Sequence, residues 1–160
     1  VSPFNPLKIL IAKATPYLML SLINFTVILL LSVYMLDVPI RGNLLLLYGE
    51  STLFIIICLS LGLLISTSTS SQQTAMLIAM MGMMLPTAFF TGFMFPIENM
   101  PLVFQGIAKV FPSSYYYAIV KKVMLKGLDF SYIWKETLIL IAMAVLFLTL
   151  AMKKFKIRLQ

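Results

Sequence analysis

The chain contains no histidine, one cysteine (Cys58) and only five acidic residues. Without histidine, a cysteine cluster or a carboxylate cluster, the ligand sets of structural and catalytic metal sites cannot be assembled. The same shortage leaves no obvious nucleophile with an adjacent base. Asp37, Glu50, Glu98, Asp129 and Glu136 are dispersed, so no aspartate pair of an intramembrane hydrolase or lipid transferase is present. A single cysteine allows no intrachain disulfide and says nothing about redox compartment. There is no GxxxxGK[ST] phosphate loop either, which excludes ATP binding of that kind by this segment. The residues therefore predict no catalysis and no cofactor within the chain. Charge is scarce as well: 11% of residues carry it, against about a quarter in soluble domains.

What is there is hydrocarbon. Of the 160 residues, 61% are apolar, and the mean hydropathy is +1.04. A water-soluble fold of this length leaves too much surface exposed to hide that much apolar material. The solvent for most of the chain is lipid. The net charge of +7 does not point to nucleic acid. Lys153, Lys154, Lys156 and Arg158 directly follow an apolar run, and cations so placed set topology and contact lipid phosphates. The opening residues, Val1 onward, do not form a signal peptide, and the chain is expected to be part of a longer polypeptide.

Hydropathy has four maxima, which predict an all-α integral membrane domain over residues 1–160. Helices are expected at about 6–36, 43–66, 74–95 and 132–153. The first contains an uncharged stretch, 14–36, long enough to cross about 30 Å of hydrocarbon at about 1.5 Å per residue. Lipid leaves no backbone group unpaired, so each run must be helical; none alternates as a membrane barrel strand does. Asn5-Pro6 resembles an N-cap followed by proline at the first helical position. The helix it starts is expected to lie at the membrane surface, turn inward and bend at Pro16.

The connections differ in kind. Residues 37–42 are a tight turn around Pro39. Ser66, Thr67, Ser68, Thr69, Ser70, Ser71, Gln72 and Gln73 form a polar loop with no charge. The third connection, 96–131, is long and not hydrophilic. It holds two short candidate helices, 100–111 and 113–126, separated by Pro112 and closed by Gly127, which suits a left-handed C-terminal position. Neither can span. The expectation is a re-entrant helical hairpin at about 97–127, since irregular backbone at depth is tolerated when protein buries it. A basic tail, 153–160, ends the chain. Four spans place both ends on one side, and counting cations leaves open which side that is.

Several residue groups admit a functional and a structural reading. Tyr17, Ser21, Asn24 and Ser32 fall within about 80° of one another on the first helix. They either line a substrate route or hydrogen-bond between helices. Glu50 is an acid well inside an apolar run. It is either a substrate or proton site, or a carboxylate reaching a nearby interface. Ala75, Ala79, Gly82, Ala88 and Gly92 suit close helix packing on the third helix, and Pro86 suits a bend there. Tyr115, Tyr116 and Tyr117 fit an interfacial aromatic belt.

The order of short motifs carries a resemblance. Leu61-Gly62-Leu63-Leu64-Ile65-Ser66-Thr67 is followed by Gln72-Gln73-x-Ala75-Met76 and Leu85-Pro86. Then come Gly92-Phe93-Met94-Phe95-Pro96-Ile97, Met100-Pro101, and Phe111-Pro112-Ser113-Ser114-Tyr115-Tyr116. With Pro6-Leu7-Lys8-Ile9-Leu10 at the start and Lys154-Phe155-Lys156 at the close, the chain resembles the C-terminal half of an ABC-2 type transporter permease. The bacterial efflux permeases with a large extracytoplasmic domain are the nearest pattern. Each motif is short, but their order covers essentially the whole chain.

The resemblance implies a six-span protein of which this chain holds the third to sixth spans. It implies a bacterial inner-membrane location with both ends cytoplasmic, and a second permease half, identical or not. It also implies a separate ATP-binding cassette subunit that holds ATP and magnesium. Residues 66–73 would face that ATPase. Pro86, Gly92, Phe95, Pro96, Met100, Pro101 and Pro112 would form the hinge and gate of the outer hairpin. The polar stripe, with Glu50 as a further candidate, would lie near the pathway, although Glu50 stands where the pattern calls for a small or apolar residue. Two other expectations compete: a membrane scaffold that transports nothing, and a membrane-embedded lipid-modifying enzyme.

Overall fold

In a computed structural model, which describes residues 5–158, the chain is helical and forms no strand among the described residues. We label the helices α1 (Pro6–Tyr34), α2 (Leu44–Ser68), α3 (Gln72–Phe90), α4 (Leu102–Ala108), α5 (Pro112–Val120) and α6 (Trp134–Arg158). Four of them, α1, α2, α3 and α6, are long and apolar enough to cross a membrane. The protein is a multi-pass membrane protein.

Helix boundaries follow local chemistry that the hydropathy pattern smooths over. Asn43 caps α2 by accepting from the Leu45 N–H at 2.9 Å, which fixes the start of the second span. At its other end α2 runs past Ser66 to Ser68. The hydroxyls of Thr67, Ser68 and Thr69 donate back to the carbonyls of Leu63, Leu64 and Ile65 and keep the last turn satisfied. Ser71 then caps α3, accepting from the Thr74 N–H at 3.1 Å. The polar loop is thus only 69–71, and most of the expected 66–73 stretch is helix. The basic tail is likewise helical, because α6 continues through Lys153, Lys154 and Lys156 to Arg158.

The third span departs most from expectation. It ends at Phe90 rather than near 95, because Gly92 takes φ +89 and turns the chain. Within it, Met80–Met84 is a π-helical turn, in which the Leu85 N–H reaches the Met80 carbonyl five residues back. Pro86 follows immediately. Its ring removes one donor, and the wider turn just before it absorbs the mismatch without breaking the helix. Pro16, by contrast, sits inside a continuous α1.

The core is the seam between α2 and α6, with α5 packed across both. Leu47, Ile57, Ile119, Val123, Ile133 and Leu140 are fully enclosed there. Helix α3 buries none of its residues and α1 few. Two glycines let the α5 end close onto the 37–43 turn. Gly127, at φ +67, lies so close to Arg41 that a Cβ would stand 3.0 Å from its carbonyl oxygen. A Cβ on Gly42 would collide with the Val123 carbonyl. The Arg41 N–H donates to the Met124 carbonyl at 3.0 Å across this junction.

Candidate functional site: an intramembrane cleft and a polar seam

The 37–43 turn and the 97–127 segment meet at one end of the molecule. At the opposite end, Lys154 Nζ donates to Ser68 Oγ at 2.6 Å, joining the end of α6 to the 69–71 link. Asn5, Leu7 and Leu10 of the α1 entrance line a small 170 Å³ groove there with Met152, Lys153, Phe155 and Lys156. Both ends of the described chain therefore lie on the side of the 69–71 link, where Ser70, Ser71, Gln72 and Gln73 are exposed.

Between the turn-bearing end and the middle of the helices is a cleft of about 410 Å³. Phe25, Ile28, Leu29 and Ser32 of α1 form one wall; Leu47 and Phe54 of α2 form the floor. Thr87 of α3 and Thr91 just past its end, with Ser113, Tyr116, Tyr117, Val120 and Met124 of the hairpin, form the rest. The lining is overwhelmingly apolar with a few hydroxyls. Of the polar stripe on α1, only Ser32 reaches this cleft, and its hydroxyl donates to the Ile28 carbonyl at 2.8 Å. Ser21 is half-buried, while Tyr17 and Asn24 are exposed on the outside of α1. The four residues share a helix face but not a cavity.

The hairpin residues assemble differently. Phe95, Pro96, Met100 and Pro101 line a second cleft of about 430 Å³ together with Phe89, Phe90 and Phe104. Pro112 is buried at the first turn of α5, and Pro86 is half-buried within α3. Ser114 ties the hairpin to the third span, donating to the carbonyls of Phe90 (2.7 Å) and Ala108 (2.8 Å) as alternatives for its single proton. The π-helical stretch Lys121–Leu125 extends α5, with the Lys126 N–H bonded to the Lys121 carbonyl.

Tyr116 does not belong to a surface belt. It is turned inward, its ring stacked on Phe54 with centroids 4.3 Å apart, and its hydroxyl 2.7 Å from Ser51 Oγ. Ser51 reads in the sequence as an ordinary span serine. The i+1 position next to Glu50 was the available signal. Glu50 itself is only 4% exposed. Its Oε1 is 2.8 Å from Thr137 Oγ1 on α6, so it faces the α2–α6 seam and is absent from the cleft lining. Glu50 thus packs between helices rather than projecting from the outer surface of α2. Thr137 carries no distinguishing signal in the sequence. On the adjacent face of α6, Glu136 pairs with Lys122 at 2.6 Å and closes the hairpin onto the fourth span.

The fold is a helical multi-pass membrane domain with a short folded-back segment before its last span. The chain belongs to the ABC-2 transporter family: the family model described as "ABC-2 family transporter protein" matches residues 1–153. Among curated relatives, it is 36% identical over 152 residues to "Probable multidrug ABC transporter permease YbhS" of Escherichia coli, covering 95% of this chain and 40% of that protein. It is 30% identical over 136 residues to "Probable multidrug ABC transporter permease YbhR" of the same bacterium, covering 85% and 37%. A more distant match, 28% identical over 137 residues, is "ABC transporter G family member 20" of Dictyostelium discoideum, with 84% and 19% covered. The chain spans about two fifths of the length of the bacterial relatives. No solved structure matches it.

Proposed function

We propose that this chain is the C-terminal, four-span part of the permease of an ATP-driven exporter, with no chemistry of its own. The observation that carries the proposal is membership of the ABC-2 family across nearly the whole chain. On this reading both ends and the 69–71 link are cytoplasmic. The exposed residues Ser70, Ser71, Gln72 and Gln73 touch an ATP-binding cassette subunit, which binds ATP and magnesium. A second permease half completes the pathway, and the barely buried faces of α1 and α3 are the surfaces left for it, for the remaining spans and for lipid.

The 97–127 hairpin closes the far side. Substrate moves by alternating access past the α1 wall at Ser32, with Pro86 and the π turn before it as the hinge and Gly92 as the pivot between span and hairpin. The bacterial relatives are named for multidrug transport. The cleft's apolar lining with scattered hydroxyls suits amphipathic organic molecules, which bury hydrocarbon and need few polar contacts.

The test is transport by the full-length permease, expressed with its ATPase, in inverted membrane vesicles. ATP-dependent accumulation of an amphipathic dye is expected, lost when the phosphate-loop lysine of the ATPase is replaced. Ser70→Asp combined with Gln73→Asp is expected to release the ATPase from the membrane without lowering permease levels. An ATPase that stays bound to the doubly substituted permease contradicts the contact assignment. A permease that binds ATPase yet moves nothing would instead favour the scaffold.

A further inference from the structure

Glu50 is a buried carboxyl in a membrane-crossing helix, a place where ionisable groups are costly and mark function. We propose that Glu50 is an intramembrane proton-binding site: its carboxyl is neutral and shares its proton with Thr137 across the α2–α6 seam.

Thr137 Oγ1 has one proton and two oxygens within reach, Glu50 Oε1 at 2.8 Å and the Ile133 carbonyl at 3.0 Å. A hydroxyl can serve one of them at a time. If the carboxyl were ionised, Thr137 would be its sole donor among the described residues, and the Ile133 carbonyl would keep only the Thr137 N–H at 2.9 Å. If the proton sits on Oε1, the chain closes: Glu50 donates to Thr137 Oγ1, and Thr137 donates to Ile133. Every proton then has an acceptor.

The second carboxyl oxygen points the same way. Glu50 Oε2 is buried and has no hydrogen-bond partner among the described residues. An ionised carboxylate seeks several donors, and a bare charged oxygen in a low-dielectric seam is heavily penalised. A neutral acid carries its second oxygen as an ordinary carbonyl, for which an empty lone pair costs far less.

Among the described residues no cation pairs with Glu50. The ion pair among them is Lys122 with Glu136, and Lys122 Nζ also donates to the Tyr132 carbonyl. The nearest titratable group from α5 is the Tyr116 phenol, already joined to Ser51. From α6 comes Thr137, whose neighbour Glu136 is engaged elsewhere. None supplies positive charge.

A neutral Glu50 lets α2 and α6 separate without first exposing a charge to lipid. It releases its proton when water reaches the opened seam. The site thus reports helix separation as proton occupancy, whatever the cargo, and stands apart from the exporter reading.

Infrared spectroscopy of the full-length protein in membranes at neutral pH tests this. A protonated-carboxyl carbonyl band is expected in the wild type, moved down in D2O and absent from Glu50→Gln. Gln keeps the shape and an N–H for Thr137, so that variant is expected to fold. Thr137→Val should move the band up, because the carboxyl loses its acceptor, and Thr137→Ser should return it. If Glu50→Gln does not accumulate, the Val and Ser variants test the same band in place. Spectra in which Glu50→Gln removes only carboxylate bands, or in which Thr137→Val leaves the carbonyl band unmoved, overturn the proposal.

Discussion

At the scale of single residues, a few polar side chains hold the hairpin to the spans. In lipid, burying apolar surface gives helices little reason to associate, so packing and interhelical hydrogen bonds carry the contact. Tyr116 supplies both, a stack on Phe54 and a hydroxyl shared with Ser51. Tyr116→Phe keeps the stack and should cost about 0.5–1.7 kcal/mol, the range for such bonds in membranes. Tyr116→Ala also loses the ring and should cost about 3 kcal/mol or more. Thermal denaturation of the full-length protein in detergent measures both, and a Phe variant as damaged as the Ala variant would deny the stack its role. Gly42 is the harder constraint. Any side chain there meets the Val123 carbonyl, so Gly42→Val should detach the turn from α5 and expose the 97–127 segment to protease. Little of this was legible in the sequence. Glu50 stood out by its charge, but Ser51, Thr137 and Tyr116 look like ordinary span or belt residues until α2, α5 and α6 are brought together.

At the scale of elements, hydropathy located the spans well and their ends poorly. The reason is visible at 66–73. Serine and threonine read as loop on a hydropathy scale, yet their hydroxyls satisfy helix carbonyls and extend α2 by a turn. Gly127 was readable because left-handed backbone has a residue-specific signature. The two π-helical turns were not, since they depend on register rather than composition. The turn before Pro86 is the element with the plainest mechanical consequence. Pro86→Ala restores a donor and lets Met80–Met84 relax toward regular α-helix. The account predicts a more heat-stable permease with slower ATP-driven dye transport. Unchanged transport in a variant that is more stable would remove the hinge from the mechanism.

At the scale of the whole molecule, the fold is a packed pair, α2 and α6, with a hairpin laid across it and two helices, α1 and α3, left largely uncovered. The sequence conveyed the class and the family order of motifs, whereas the cleft depends on α1, α2, α3 and α5 meeting and could not be read from one helix face. The central claim is the threading: four crossings, with 97–127 folding back so that both ends share a side with the 69–71 link. Thiol labelling of the full-length protein in intact bacterial cells, with Cys58 replaced, measures it most directly. A membrane-impermeant reagent should modify Asp129→Cys in intact cells and Ser70→Cys only after the membrane is opened. Modification of Ser70→Cys from outside, or equal access to both positions, would contradict the account.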